Sequence, residues 1–96
     1  GHLMKLTKTG IAGTMESSDA YVEVAPGQNG VEIQLESTVM GQFGKHISSL
    51  IQEVAKEQGL EDVQIKVMDK GALDCTLKAR VLTAICRATD RDFNWE

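Results

Sequence analysis

The sequence predicts an α+β fold: a two-layer sandwich with a mostly antiparallel sheet of about four strands and two helices on one face, in the order β-β-β-α-β-α. Three observations carry that reading. Apolar residues recur with period two in the first third of the chain, the spacing lengthens to three and four residues from about Val39, and each pattern returns once before the C-terminus. At 96 residues the chain suits one such pair of layers, since single domains commonly run to ~100–150 residues.

The first strand is expected within residues 6–15, where Gly10 and Gly13 mark a bulge or an edge. Ala20, Val22 and Val24 then fall on one side of a second strand, with Tyr21 and Glu23 on the other. Val31, Ile33 and Leu35 alternate in the same way with Glu32, Gln34 and Glu36. Between them stands Pro26-Gly27-Gln28-Asn29-Gly30, dense in turn formers, so the two strands are expected to pair as a β-hairpin. Met40, Phe43, Ile47, Leu50, Ile51 and Val54 define one face of a helix over residues 39–58. Ser37 or Thr38 can cap its start, and Gly59 can supply the left-handed residue at its end. Val63, Ile65 and Val67 make another strand, and Asp69-Lys70-Gly71 turns the chain. Leu73, Leu77, Val81, Ala84, Ile85 and Ala88 form a second helical stripe. Over residues 72–78 the alternation of Cys75 and Leu77, continued by Ala79 and Val81, leaves strand and helix both open. Gly1-His2-Leu3 reads as an expression-tag scar. A single domain is expected over residues 4–89, followed by a polar, fraying tail over residues 90–96.

Composition narrows the function. Hydrophobic residues make up 42% and charged residues 25%, the balance of a soluble globular domain. A formal net charge of −4 and an aromatic content of 4% argue against nucleic-acid binding. No apolar run approaches the ~18 residues of a membrane helix, and no basic-then-apolar leader opens the chain, so a cytoplasmic location away from membranes is expected. Cys75 and Cys86 would lie about three turns apart on one helix, too far to bridge, and are expected to be reduced, half-buried thiols. His46 has no CxxC or HxxxH neighbourhood, so no metal site is expected, and it reads as a flank residue of its helix. Nothing in the sequence places His46 beside a thiol as a nucleophilic pair. Asp74 with Glu61, Asp62 or Asp69 reads as solvated surface carboxylates rather than an acid/base pair.

Ala12-Gly13-Thr14-Met15-Glu16-Ser17-Ser18-Asp19-Ala20 joins two strands, and its small polar residues suit a turn at a sheet edge. No Lys or Arg falls between Lys8 and Lys45, whereas Glu16, Asp19, Glu23, Glu32 and Glu36 do. A negative patch is therefore expected at this end of the sheet, suited to docking a basic partner.

These residues also carry a resemblance. Ala12-Gly13-Thr14-Met15-Glu16-Ser17-Ser18-Asp19, Gln42-Phe43-Gly44, Asp69-Lys70-Gly71-Ala72-Leu73-Asp74-Cys75 and Lys78-Ala79-Arg80 resemble the acyl carrier protein of citrate lyase, its gamma subunit. The likeness runs from Met4 to about Ala88. It implies that Ser17 is the covalent attachment point of 2'-(5''-phosphoribosyl)-3'-dephospho-CoA, joined through a phosphodiester. Gly13, Thr14, Glu16, Ser18 and Asp19 would flank that site as docking candidates. The thiol of the arm would hold acetyl and then citryl while citrate is cleaved to acetate and oxaloacetate. The alpha (CoA-transferase) and beta (citryl lyase) subunits would perform the chemistry, the divalent metal belonging to beta. A prosthetic-group transferase would load the serine, and this chain would contribute no catalytic residue.

Tethering would give the arm a high effective concentration at both active sites. Glu16 and Asp19 would repel the arm from its own carrier. The carrier of malonate decarboxylase, which uses the same type of group, is the nearest alternative. An α+β interaction module without a prosthetic group is another. The helical acyl carrier of fatty-acid synthesis, with its Asp-Ser-Leu motif, fits poorly. The resemblance assigns no role to Asp69, Lys70, Asp74 or Arg80, for which internal ion pairs are the default.

Overall fold

Four strands and two helices alternate along the chain as the periodicity predicts: β1 (Gly10–Gly13), β2 (Ala20–Pro26), β3 (Val31–Ser37), α1 (Met40–Glu57), β4 (Val63–Asp69) and α2 (Asp74–Thr89). They come from a computed structural model that describes residues 6–38 and 40–89, without the side chains of residues 40, 42 and 43. The scar over residues 1–3 and the tail over residues 90–96 lie outside the described residues, as do the side chains of Met40 and Phe43 that were placed on the helical stripe.

The sheet order is β1-β2-β4-β3. β1 with β2 and β2 with β4 are antiparallel, while β3 and β4 run parallel. The expected hairpin between β2 and β3 is therefore wrong: β4 lies between them. Turn chemistry at residues 26–30 does not close a hairpin but carries the chain over the start of β4. The Gly27 N–H donates to the Asp62 carbonyl at 2.9 Å, and the Val63 N–H donates to the Gly30 carbonyl at 3.0 Å. Burial explains why β4 takes the centre. Val63, Ile65 and Val67 are all buried, whereas Ile33 and Leu35 of β3 are only partly so, as an edge strand allows. β3, α1 and β4 thus form a parallel crossover unit.

Both helices pack on the face carrying Val22, Val24, Ile65 and Val67. α1 presents Ile47, Ile51, Val54 and Ala55 to the core. It ends in a Schellman arrangement: Gly59 holds φ +69°, its N–H donates to the Lys56 carbonyl at 3.0 Å, and the Leu60 N–H reaches the Ala55 carbonyl at 3.1 Å. Ser37, offered as a helix cap, closes β3, and its hydroxyl donates to Asp69 Oδ2 at 2.7 Å. α2 buries Leu77, Val81, Ala84, Ile85 and Ala88. Leu73 does not join that stripe: it precedes the helix, is 72% exposed, and contributes its carbonyl to the first helical bond, from the Leu77 N–H at 2.9 Å. Residues 74–78 are helical from the outset, which settles the open choice at this segment. Cys75 is exposed and Cys86 buried, rather than both half-buried.

The first strand is shorter than expected because α2 presses against it. A Cβ on Gly10 would meet the Ala84 carbonyl oxygen at 2.0 Å and the Ala88 nitrogen at 2.5 Å, so only glycine permits the approach. Arg87 Nη1 donates to the Ile11 carbonyl at 2.7 Å, and β1 is thereby held to the last turns of α2.

Candidate functional site

The connection between β1 and β2 begins at Gly13, whose φ of +85° sends the chain out of the strand. A Cβ there would lie 1.7 Å from the Ala20 carbonyl oxygen. The Thr14 hydroxyl then accepts the Glu16 N–H at 3.2 Å, a local turn that short polar side chains such as Thr make with the backbone two residues on. The Asp19 N–H donates to the Glu16 carbonyl at 3.1 Å. That bond closes a four-residue turn with Ser17 and Ser18 at its corners. Ser18 has φ +67°, as the third position of a type II turn requires. Ser17 is exposed at the tip.

Two devices keep this turn from being loose. The Ser18 N–H donates to the Lys70 carbonyl at 2.8 Å and the Lys70 N–H to the Asp19 carbonyl at 2.9 Å, which ties the turn to the segment leaving β4. Asp19 is the second. Its Oδ2 accepts the Thr14 hydroxyl at 2.7 Å. Its Oδ1 accepts the Ala20 N–H at 2.7 Å and Arg80 Nε from α2 at 2.9 Å. The Arg80 guanidinium, then the Thr14 hydroxyl and the Ala20 amide, hold the Asp19 carboxyl well below the usual carboxylate range. The arrangement can do one thing: present a primary hydroxyl outward on a braced turn. No hydrogen bond occupies the Ser17 hydroxyl among the described residues, and nothing there supplies a general base for it.

Of the predicted flank, Gly13, Thr14 and Asp19 are spent inside the loop, while Glu16, Ser17 and Ser18 face solvent. The expected acid-only patch is redistributed. Asp19 is paired with Arg80. Glu23 sits in register with Lys66 on the uncovered face of the sheet, and Glu32 with Gln64, both away from the turn. Glu16 stays exposed on the turn, and Glu36 borders a cavity with Lys70. Sequence reasoning missed Arg80 and Lys70 as supports; the first is 61 positions from its partner, and no local pattern signals such a pair.

Asp69 is 2% exposed and holds the neighbouring loop, accepting the Ala72 N–H at 2.9 Å as well as the Ser37 hydroxyl. His46 Nε2 and Asp74 Oδ2 lie 2.6 Å apart at the surface. Beside them a shallow cavity of about 380 Å³ is lined by Ile47, Ala72 and Leu73. Among the described residues no cluster of His, Cys, Asp or Glu could hold a metal, and no helix is long and apolar enough to cross a membrane.

The model of the malonate decarboxylase delta subunit family matches residues 7–88. A citrate lyase acyl carrier protein of Haemophilus influenzae (strain PittEE) is 50% identical over 97% of this chain and 97% of its own. The chain belongs to the citrate lyase acyl carrier protein family. The carrier of that name from Lacticaseibacillus casei (strain BL23) is 46% identical over 97% of this chain and 93% of its own. Among solved structures, a chain of a Pseudomonas malonate decarboxylase hetero-tetramer in complex with malonate matches with a TM-score of 0.68 over 85% of this chain and 89% of that one. At 22% identity it shows that the fold is shared. Membership of an acyl-carrier family points to a covalently bound prosthetic group.

Proposed function

We propose that the chain is the acyl carrier (gamma) subunit of citrate lyase, with phosphoribosyl-dephospho-CoA attached to Ser17 through a phosphodiester. The observation that carries this is the Ser17 turn: an exposed hydroxyl at the apex of a loop fixed by the Asp19–Arg80 pair and by two backbone bonds to Lys70. When bound, the group supplies a thiol that holds the acyl cargo. The residues of this chain do the rest by geometry. Ser17 provides the anchor oxygen, Ser18 takes the left-handed position that exposes it, and Asp19 fixes the direction of departure. Small side chains at positions 17 and 18 leave room for a nucleotide-sized substituent.

In this reading the chain is a non-catalytic subunit working in the cytoplasm. The alpha (CoA-transferase) and beta (citryl lyase) subunits are its proposed clients, and a prosthetic-group transferase its loader. Exposed Leu73 and Met15, at 72% and 48%, give such partners apolar contacts on the tied loop and on the turn itself. The fold shared with a subunit of malonate decarboxylase supports the related carrier as a second reading. Identities of 46–50% with citrate lyase carriers favour the first.

Intact-mass measurement with peptide mapping tests the assignment, on protein made in a host that synthesises the group. The adduct is expected on Ser17 in the parent and in Ser18→Ala, and absent from Ser17→Ala. A Ser17→Ala chain that still gained the mass would overturn it. Reconstitution with citrate lyase or malonate decarboxylase subunits separates the two carriers.

A further inference from the structure

The Asp19–Arg80 pair is incomplete in an informative way. A guanidinium has five N–H donors in a planar fork, and an arginine that serves only to neutralise a carboxylate meets both of its oxygens side by side. Here Asp19 Oδ2 is given to Thr14, and Oδ1 is shared by the Ala20 N–H and Arg80 Nε. Arg80 therefore binds Asp19 through Nε, and among the described residues neither Nη group has a partner. The side chain is 40% exposed, against 15% for Asp19. It crosses the start of the loop directly: a Cβ on Gly13 would stand 3.1 Å from Arg80 Cδ, so the absent side chain at Gly13 gives the arginine its path. Asp19 is two residues from Ser17, about 7 Å of backbone at most. A phosphate ester on the Ser17 oxygen would therefore stand on the same four-residue turn that the guanidinium contacts through Asp19.

We propose that Arg80 is a phosphate-binding residue of the Ser17 site, with Nε committed to Asp19 and its Nη groups donating to the anionic oxygens of the phosphodiester on Ser17. The inference rests on the carrier reading and deepens it. Arginine suits the task because its fork can serve two anions at once, a carboxylate at one edge and a phosphate at the other. Lysine, a point charge, cannot divide itself in this way. The Asp19 carboxylate also cancels part of the charge, so the phosphate is oriented without being locked against the surface. Binding the phosphate near its anchor leaves the rest of the arm free.

The test is a thermodynamic cycle between loading and Arg80, read on the protein alone. Melting temperatures are measured for unloaded and loaded forms of the parent, Arg80→Gln, Arg80→Lys and Lys70→Gln, with intact mass confirming the state of Ser17. Lys70 is the control cation: its backbone braces the same turn, while its side chain borders a cavity with Glu36 and Met68. Loading is expected to raise the parent melting temperature by about 4 °C, in line with a modest charge-assisted contact in a small domain. That increment should vanish in Arg80→Gln, shrink in Arg80→Lys and persist in Lys70→Gln. The phosphorus-31 resonance of the diester should move in the two Arg80 variants and stay in place in Lys70→Gln. If Arg80→Gln is too unstable to melt cleanly, Arg80→Lys with the phosphorus spectrum decides. An unchanged increment in the Arg80 variants, or an equal loss in Lys70→Gln, overturns the assignment while the carrier reading stands. Absence of any adduct on Ser17 overturns both.

Discussion

At one end of the sheet the chain turns through residues 16–19, and at the other through residues 27–30; each turn leans on an aspartate. Asp62 serves the second turn from just before β4, accepting the Gly30 N–H at 2.8 Å, and it is exposed. Asp19 serves the first from a half-buried position and is locked to a helix 61 residues further on. The second turn carries the chain across the start of β4 on two backbone bonds and the one to the Asp62 carboxylate. The first displays the exposed Ser17 hydroxyl, and in the proposed function it has to hold that hydroxyl in one direction under the load of a large substituent. The two turns are therefore braced to different degrees, and the difference fits the demand that the proposed function puts on each.

Glycine substitutions should break that comparison most sharply. Gly13 and Gly30 both hold positive φ, at +85° and +75°. A Cβ on Gly30 would meet nothing within 4 Å, while one on Gly13 would overlap the Ala20 carbonyl. Gly30→Ala should cost about 1 kcal/mol in urea unfolding. Gly13→Ala should cost more than about 3 kcal/mol or prevent folding. Equal effects would mean that the loop after β1 relaxes freely.

Next in size come the two aspartates. Asp19→Asn should lower the melting temperature more than Asp62→Asn, because it weakens an ion pair together with bonds to Thr14 and Ala20. Acid titration sharpens the contrast. The folded carboxyl of Asp19 titrates below its ordinary 3.8. Its stabilisation is therefore complete above that value and lost as pH falls below it toward the folded value. Asp19→Asn should flatten the unfolding free energy over that acid range, measured by denaturant melts at successive pH.

Ser18→Gly is expected to act in the opposite direction, raising stability by up to about 1 kcal/mol because glycine holds φ +67° without a Cβ clash. The smallest effect belongs to His46→Ala. Its contact with Asp74 is at the surface, with side-chain exposures of 58% and 61%, and braces neither turn. A change under about 0.5 kcal/mol is expected near neutral pH.

Much of this architecture was legible in the residues. Alternation at Ala20, Val22 and Val24 and at Val63, Ile65 and Val67 identified strands and their buried faces, and Gly59 ended a helix where one was needed. What periodicity reports is which way a side chain faces, not which strand stands beside it. The same pattern in β3 fits β2 or β4 as neighbour, and the glycine-rich turn at residues 26–30 suited a hairpin that does not form. Uninterrupted Val63, Ile65 and Val67 were the available hint of a central strand. Leu73 fell into helical spacing yet stands before the first turn of α2. At the site, turn chemistry alone left Ser17 undistinguished from Ser18, and the family likeness singled it out. Asp19 was read as a repelling charge because its cation lies far along the chain, where no local pattern reaches.

That distance has a consequence for timing. The long-range braces of the Ser17 turn arrive late in synthesis: Lys70 follows β4, and Arg80 sits midway along α2. A nascent or truncated chain bearing only residues 6–60 would display the serine on an unbraced segment. If Ser17 is loaded as proposed, a loading enzyme that reads the finished turn would pass such a chain over and spend its nucleotide on completed folds.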